Sequence, residues 1–177
     1  MPRPRPRGVT LIELLVVLAI VGLIGSLAAL SLNEAIARHR LRVAADDLLG
    51  TLLKARSTAV WRDHEIRVCA SGDGRICSPS ADWTRGWIGR DMHSGDILTF
   101  TPALDGKLGT LRRSGRHEID FARNGTAPGT NQTIVLCVRG RPATAIAVTV
   151  SNAGLPRRKA AAPDDAALCA KALSRRR

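Results

Sequence analysis

Tyrosine is absent from this 177-residue chain, phenylalanine occurs twice and tryptophan three times, so aromatics make up only 3% of it. So few rings exclude a surface that binds nucleic acid by stacking base after base. Carboxylates are also scarce: 15 Asp and Glu face 27 Lys and Arg, giving a formal net charge of +12 and a sequence pI near 11.2. That balance favours polyanions or anionic surfaces as partners and leaves the fold open. Enzyme motifs are missing too. No Gly-x-Ser-x-Gly, phosphate loop or His-Glu-x-x-His occurs, and each of these carries a specific chemistry through its spacing. His39, His64, His93 and His117 are scattered without pairing logic. We therefore expect no catalytic residue, no enzyme activity and no cofactor. The four cysteines form no Cys-x-x-Cys pair, which argues against zinc and leaves no expected metal ligand.

Proline is absent from Val9 to Ala59 and charge is absent from Leu14 to Leu32. A charge-free run of about 18 residues or more is long enough to cross a bilayer as a helix. Arg3, Arg5 and Arg7 precede it, and positive charge marks the cytoplasmic flank. A cleaved secretory signal fits less well, since the run is too long and Glu13 opens it. A plain anchor fits the hydropathy but leaves Glu13 unexplained, and an ionisable group at a membrane end calls for a role. Beyond the run, Leu41, Ala45, Leu48, Leu52, Ala55 and Ala59 recur at helical spacing. The pattern predicts one helix of about 50 residues, roughly 75 Å long. Its second half would pack on a head through this stripe. Arg38, Arg40 and Arg42 read as a solvated or membrane-surface face.

From Glu65 onward the pattern turns to alternation and turn signals. Strands are predicted at 66–69, 83–90, 97–101, 108–111, 118–121, 133–139 and 143–150, in an antiparallel sandwich or two packed sheets. The fold class is α+β. Cys69, Cys77, Cys137 and Cys169 all follow the apolar run, on the side where disulfides persist. Four cysteines allow three pairings; local spacing favours Cys69–Cys77 and leaves Cys137–Cys169. The region 160–167 is Ala/Pro/Asp-rich and reads as irregular. Expected boundaries are a leader at 1–8, an apolar half-helix at 9–32, an amphipathic half at 33–62, a β-rich head at 63–154 and a basic tail at 155–177.

The short basic leader ending in Gly8, followed by Val-Thr-Leu-Ile-Glu-Leu-Leu-Val-Val, resembles the signal of type IV prepilins and type II secretion pseudopilins. The resemblance implies cleavage by a prepilin peptidase between Gly8 and Val9, N-methylation of Val9, and an assembly role for Glu13 as the fifth mature residue. The family usually has Phe at the first mature position. Further along come Arg67-Val68-Cys69-Ala70-Ser71-Gly72-Asp73-Gly74, Cys77, Asp82-Trp83, Gly86-Trp87, Ile119-Asp120-Phe121, Gly125 and Val135-Leu136-Cys137. In this order they resemble the GspH/FimT minor pilins, which implies a β-rich head on the long helix and other pilins as partners. It also implies an inner-membrane, single-pass precursor with a periplasmic head, later carried into a pilus at or near its tip.

FimT-type members resemble DNA receptors for natural transformation, with a Gly-Arg-x-Arg element near the C-terminus. The matching stretch here is Gly154-Leu155-Pro156-Arg157, with Leu155 in place of the first arginine and Arg158 and Lys159 following. Arginine and lysine bind phosphates without reading bases. Arg157, Arg158 and Lys159 are therefore the expected DNA contacts, extended by Arg112, Arg113, Arg116, Arg139 and Arg141. The resemblance equally admits a GspH-like pseudopilin without a nucleic-acid role, and a minor pilin that only primes assembly.

Overall fold

The computed structural model describes residues 10–80, 82–113 and 116–174, with only the backbone described at 22–31 and 173–174. The chain divides into two compact units, 1–36 and 37–177. Helix α1, Leu11–Arg62, runs through both, as the proline-free stretch predicts. In the first unit the Thr10 hydroxyl accepts the Glu13 N–H at 3.3 Å. Among the described residues no helix is long and apolar enough to cross a membrane. The expected run, 14–32, includes residues 22–31, whose side chains lie outside that description.

The second unit is built on the far half of α1. Leu41, Ala45, Leu48, Leu52, Ala55 and Ala59 are all at most 2% exposed, so the 3.6-residue stripe faces the core as predicted. The helix ends where Asp63 takes a left-handed conformation (φ 55°) and the His64 N–H reaches back to the Ala59 carbonyl at 3.3 Å. This is a helix-terminating turn in which the last carbonyls gain donors.

Among the described residues eight strands follow: β1 Ile66–Ala70, β2 Trp87–Asp91, β3 Ile97–Thr101, β4 Leu108–Arg112, β5 Glu118–Phe121, β6 Gln132–Val138, β7 Arg141–Val150 and β8 Pro156–Ala160. They form two four-stranded sheets, ordered β3-β2-β1-β5 and β4-β6-β7-β8, with every pairing antiparallel. Ile66, Val68, Ile119 and Phe121 from the first sheet join Ile134, Leu136, Val148 and Val150 from the second in one core with the α1 stripe. The alternate residues Val135, Cys137, Ala145 and Ala147 face the other way and meet Ala166 and Cys169 of helix α2, Pro163–Ser174. Period-two alternation of a strand makes this double-sided sheet possible.

Two expectations are corrected. Residues 83–90 are not one strand. Asp82 caps a 3-10 turn at Trp83–Arg85, accepting from the Thr84 N–H at 3.1 Å. Gly86 then takes φ 100°, where an added Cβ would lie 2.3 Å from the Thr101 carbonyl oxygen, before β2 begins. The C-terminal region is not an irregular tail either. Pro156 opens an edge strand, the place a sheet tolerates a residue without an N–H. Pro163 opens α2 with Asp164 and Asp165 in its first turn, which suits the helix dipole. Composition alone hid both elements, because burial of Ala166, Cys169 and Ala170 against the sheet is tertiary.

Candidate assembly and anion-binding surfaces

The expected cleavage and methylation site, Gly8 and Val9, lies outside the described residues. Glu13 lies in the first turn of α1, three residues after Thr10. The Thr10 hydroxyl caps the helix by accepting the Glu13 backbone N–H, one half of a capping box, and a carboxylate at Glu13 suits the helix dipole. Glu13 thus has a local structural reason besides any role between subunits.

Cys69 and Cys77 are disulfide-bonded, and so are Cys137 and Cys169. The first bridge closes the turn between β1 and the 3-10 segment. Within that turn Asp73 accepts the backbone N–H groups of Arg75 and Ile76 at 3.0 and 3.1 Å. These bonds hold its carboxyl below the usual range. The second bridge ties α2 to β6.

The basic residues expected to bind DNA do not share one face. On β8, Arg158 lies opposite Val148 and belongs to the side facing α1, while Arg157 and Lys159 alternate to the other side, opposite Thr149 and Ala147. Arg158 forms an ion pair with Asp46 of α1. All three side chains are exposed. Arg112 lies on β4, in register with Ile134, Val148 and Arg158 but at the opposite edge of the sheet, three strand spacings or roughly 14 Å away. Its guanidinium donates to the Arg116 carbonyl oxygen. Arg113 pairs with Asp165 of α2 at 3.1 Å. Arg139 and Arg141 flank Gly140 at the β6–β7 turn, with Arg139 donating to the Gly106 carbonyl oxygen at 3.4 Å. The candidates therefore fall into three groups: one on β8, one beside the β4 edge, one at the hairpin end.

Two clusters were not singled out from the sequence. The first is a cleft of about 550 Å³ lined by Arg38, Leu41, Arg42, Arg158 and Lys159 with the start of β7. Its signal was present in part: Arg38 and Arg42 are four apart, hence on one helix face. The second surrounds Asp91, whose side chain is fully buried. Its carboxylate accepts from Arg62 at 3.2 Å, from the His93 and Ser94 N–H groups at 2.9 and 3.2 Å, and lies 2.9 Å from His64 Nδ1. Burial pushes this carboxyl up, but the bonds from His64, the two backbone donors and Arg62 outweigh it and hold it well below the usual range. Nothing in the sequence brings these residues together. Among the described residues no group of three or more His, Cys, Asp or Glu is placed to hold a metal.

A long helix whose second half is sheathed by two antiparallel sheets, with a cystine-tied C-terminal helix, is a type IV pilin-like architecture. The chain belongs to the family described as type II transport protein GspH, whose pattern it matches over residues 44–154, and residues 3–29 match the prokaryotic N-terminal methylation motif. Among solved structures it is similar to the type IV minor pilin FimU of Pseudomonas aeruginosa. In one crystal form the identity is 26%, covering 72% of this chain and 92% of FimU, with a TM-score of 0.56. In another the TM-score is 0.55, with 67% and 91% covered. The minor pseudopilin EpsH of the Vibrio cholerae type 2 secretion system shares the fold, at 15% identity, 68% and 97% coverage and a TM-score of 0.50. No curated protein matches. The protein is thus a minor pilin or pseudopilin of a type IV pilus or type II secretion system, and its neighbours are structural subunits. The methylation motif implies processing by prepilin peptidase, and the neighbours imply other pilins as partners.

Proposed function

We propose that this chain is a minor pilin of a type IV pilus. On this reading it is made as a single-pass inner-membrane precursor with 14–32 as its span, cut between Gly8 and Val9, methylated on Val9 and taken into the fibre at or near its tip. The observation that carries the choice over a type II pseudopilin is the likeness to FimU, at 26% identity over 92% of that protein against 15% for EpsH.

The reading extends to DNA. β8 presents Arg157, Arg158 and Lys159 as exposed cations on an edge strand, suited to phosphates and poor in means to read bases. Non-specific binding of extracellular duplex DNA for uptake is the corresponding function. Its residues are Arg157 and Lys159 first, since Arg158 is engaged by Asp46. The test is a salt series of duplex DNA binding by the full-length chain in nonionic detergent. Removing one phosphate-binding cation lowers the slope of log K against log salt by about 0.9. Arg157→Ala with Lys159→Ala is therefore expected to lower it by about 1.8, and Arg158→Ala by less than half as much. Equal slopes for all three proteins would remove β8 from the mechanism. No binding by wild type at low salt would leave the structural role alone and favour the pseudopilin.

A further inference from the structure

We infer that the cleft between the start of the head's helix and β7–β8 is a binding site for the phosphate headgroup of an anionic phospholipid. The inference rests on the membrane anchor of the proposed function and adds a ligand to it. Within the second unit the cleft lies beside the point where α1 enters, because Arg38 is the second residue of that unit and Arg42 follows one turn on. By sequence, Arg38 is six residues beyond Leu32, the end of the apolar run.

The lining is one-signed. Arg38, Arg42 and Arg158 are its cations on the α1 side of the sheet, Lys159 borders it from the other face of β8, the remaining lining residues are Leu, Ile, Ala and Thr, and no carboxylate is among them. Outside the lining, Asp46 pairs with Arg158. Arg40, on the same helix, is turned to Asp105 and does not line the cleft. The volume, about 550 Å³, is that of a ligand site, which commonly spans 300–1,000 Å³. Its apolar part, which includes Leu41, Ile146 and Ala160, suits the glycerol backbone of a lipid better than a bare phosphate. Arginines just outside the exported end of a span run against the positive-inside bias; an anionic ligand for them supplies a reason for their presence. Lysine and arginine near an anionic leaflet each add appreciably to binding. DNA is the other polyanion to consider, but a cleft with apolar residues beside its cations, close in sequence to a span, favours a headgroup over an extended duplex.

The full-length chain in nonionic detergent is titrated with dioctanoyl phosphatidylglycerol, dioctanoyl phosphatidylcholine, inorganic phosphate and duplex DNA. Phosphatidylglycerol is expected to bind at least tenfold tighter than phosphatidylcholine. Arg38→Gln with Arg42→Gln is expected to weaken phosphatidylglycerol binding roughly 30-fold. Arg75→Gln with Arg123→Gln, the same charge change outside the cleft, is expected to leave it unchanged. Unaltered thermal melting of both variants excludes misfolding. Equal binding of the two lipids, or an Arg38/Arg42 variant that binds as wild type does, overturns the inference. So does inorganic phosphate binding as tightly as phosphatidylglycerol, which would mark a free-anion site. DNA binding that depends on Arg38 and Arg42 overturns it in favour of nucleic acid. Carbonate extraction of native membranes separates the two readings. A chain released by carbonate sinks the anchor, whereas a retained chain without headgroup preference sinks only the lipid site.

Discussion

Asp91 is the residue on which the end of α1 and the β2–β3 turn are joined. Its carboxylate takes donors from both, and burial makes an unpaired charge there costly. Removing the charge while keeping the shape, as in Asp91→Asn, is expected to lower stability at neutral pH by about 2–3 kcal/mol. The sign of the pH dependence follows from the lowered carboxyl. A carboxyl depressed in the folded state contributes stability that is full above its unfolded pKa and lost as pH falls toward the folded value. The gap between wild type and variant in urea denaturation should hold above about pH 5 and narrow below the ordinary aspartate value of 3.8. A gap that stays constant down to pH 2 would rule out this account. Gly154, matched to the glycine of the Gly-Arg-x-Arg element, has its own residue-scale reason: at φ 72° an added Cβ would lie 1.9 Å from the Gly125 carbonyl oxygen. That glycine is required by the packing of two turns, independently of any ligand.

Among the elements, α2 depends most on covalent support. It is 12 residues long, short enough to be marginal as an isolated helix. Among its described side chains it buries only Ala166, Cys169 and Ala170, along with Asp165. The Cys137–Cys169 bridge closes a loop of 32 residues, which in the chain-entropy model stabilises by about 3–4 kcal/mol. The Cys137→Ala, Cys169→Ala double variant is expected to lose about that much, with α2 the first element to open. Hydrogen exchange would show fast exchange at 163–174 while β1, β2 and β6 remain protected. Uniform loss of protection across both sheets would refute local docking of α2. At the other edge β8 closes the second sheet with three charged residues of five, a composition that also discourages edge-to-edge pairing with another molecule. Its cations therefore have a structural use whether or not DNA binds.

At the scale of the whole molecule, processing and assembly depend on the N-terminal segment. Gly8→Val is expected to block leader removal, because a branched side chain would fill a site that takes a small residue. Intact-mass measurement on membranes checks it, and a mature N-terminus other than Val9 would contradict the site. Glu13→Ala is expected to leave cleavage intact and reduce incorporation into fibres, through loss of a carboxylate that offsets a neighbouring subunit's N-terminal amine. A capping action of the Glu13 side chain, which the Thr-x-x-Glu spacing allows, is the competing account, and a Glu13→Gln variant separates them, since glutamine also serves in a capping box. Incorporation of Glu13→Gln at the wild-type level would leave only the cap.

Much of this was determined by the sequence on its own. An uninterrupted helix followed from the missing prolines and the 3.6-residue stripe, because those are local patterns read along one chain. Five strands, at 66–70, 97–101, 108–112, 118–121 and 132–138, followed from alternation and turn residues in the same way, to within a residue or so. The disulfide pairing favoured by spacing is the one the structure holds. Tertiary structure alone decided the rest. Whether 156–174 is tail or strand and helix depended on a sheet face waiting to be covered by alanines and a cystine, which composition does not report. The run Arg157-Arg158-Lys159 is contiguous in sequence, yet strand alternation turns its members to opposite faces. Asp46 and Arg158, or Arg62 and Asp91, are distant in sequence and meet only because the strands pack back on α1. Charge was therefore legible from the outset as a sum, and its grouping into surfaces came from the fold.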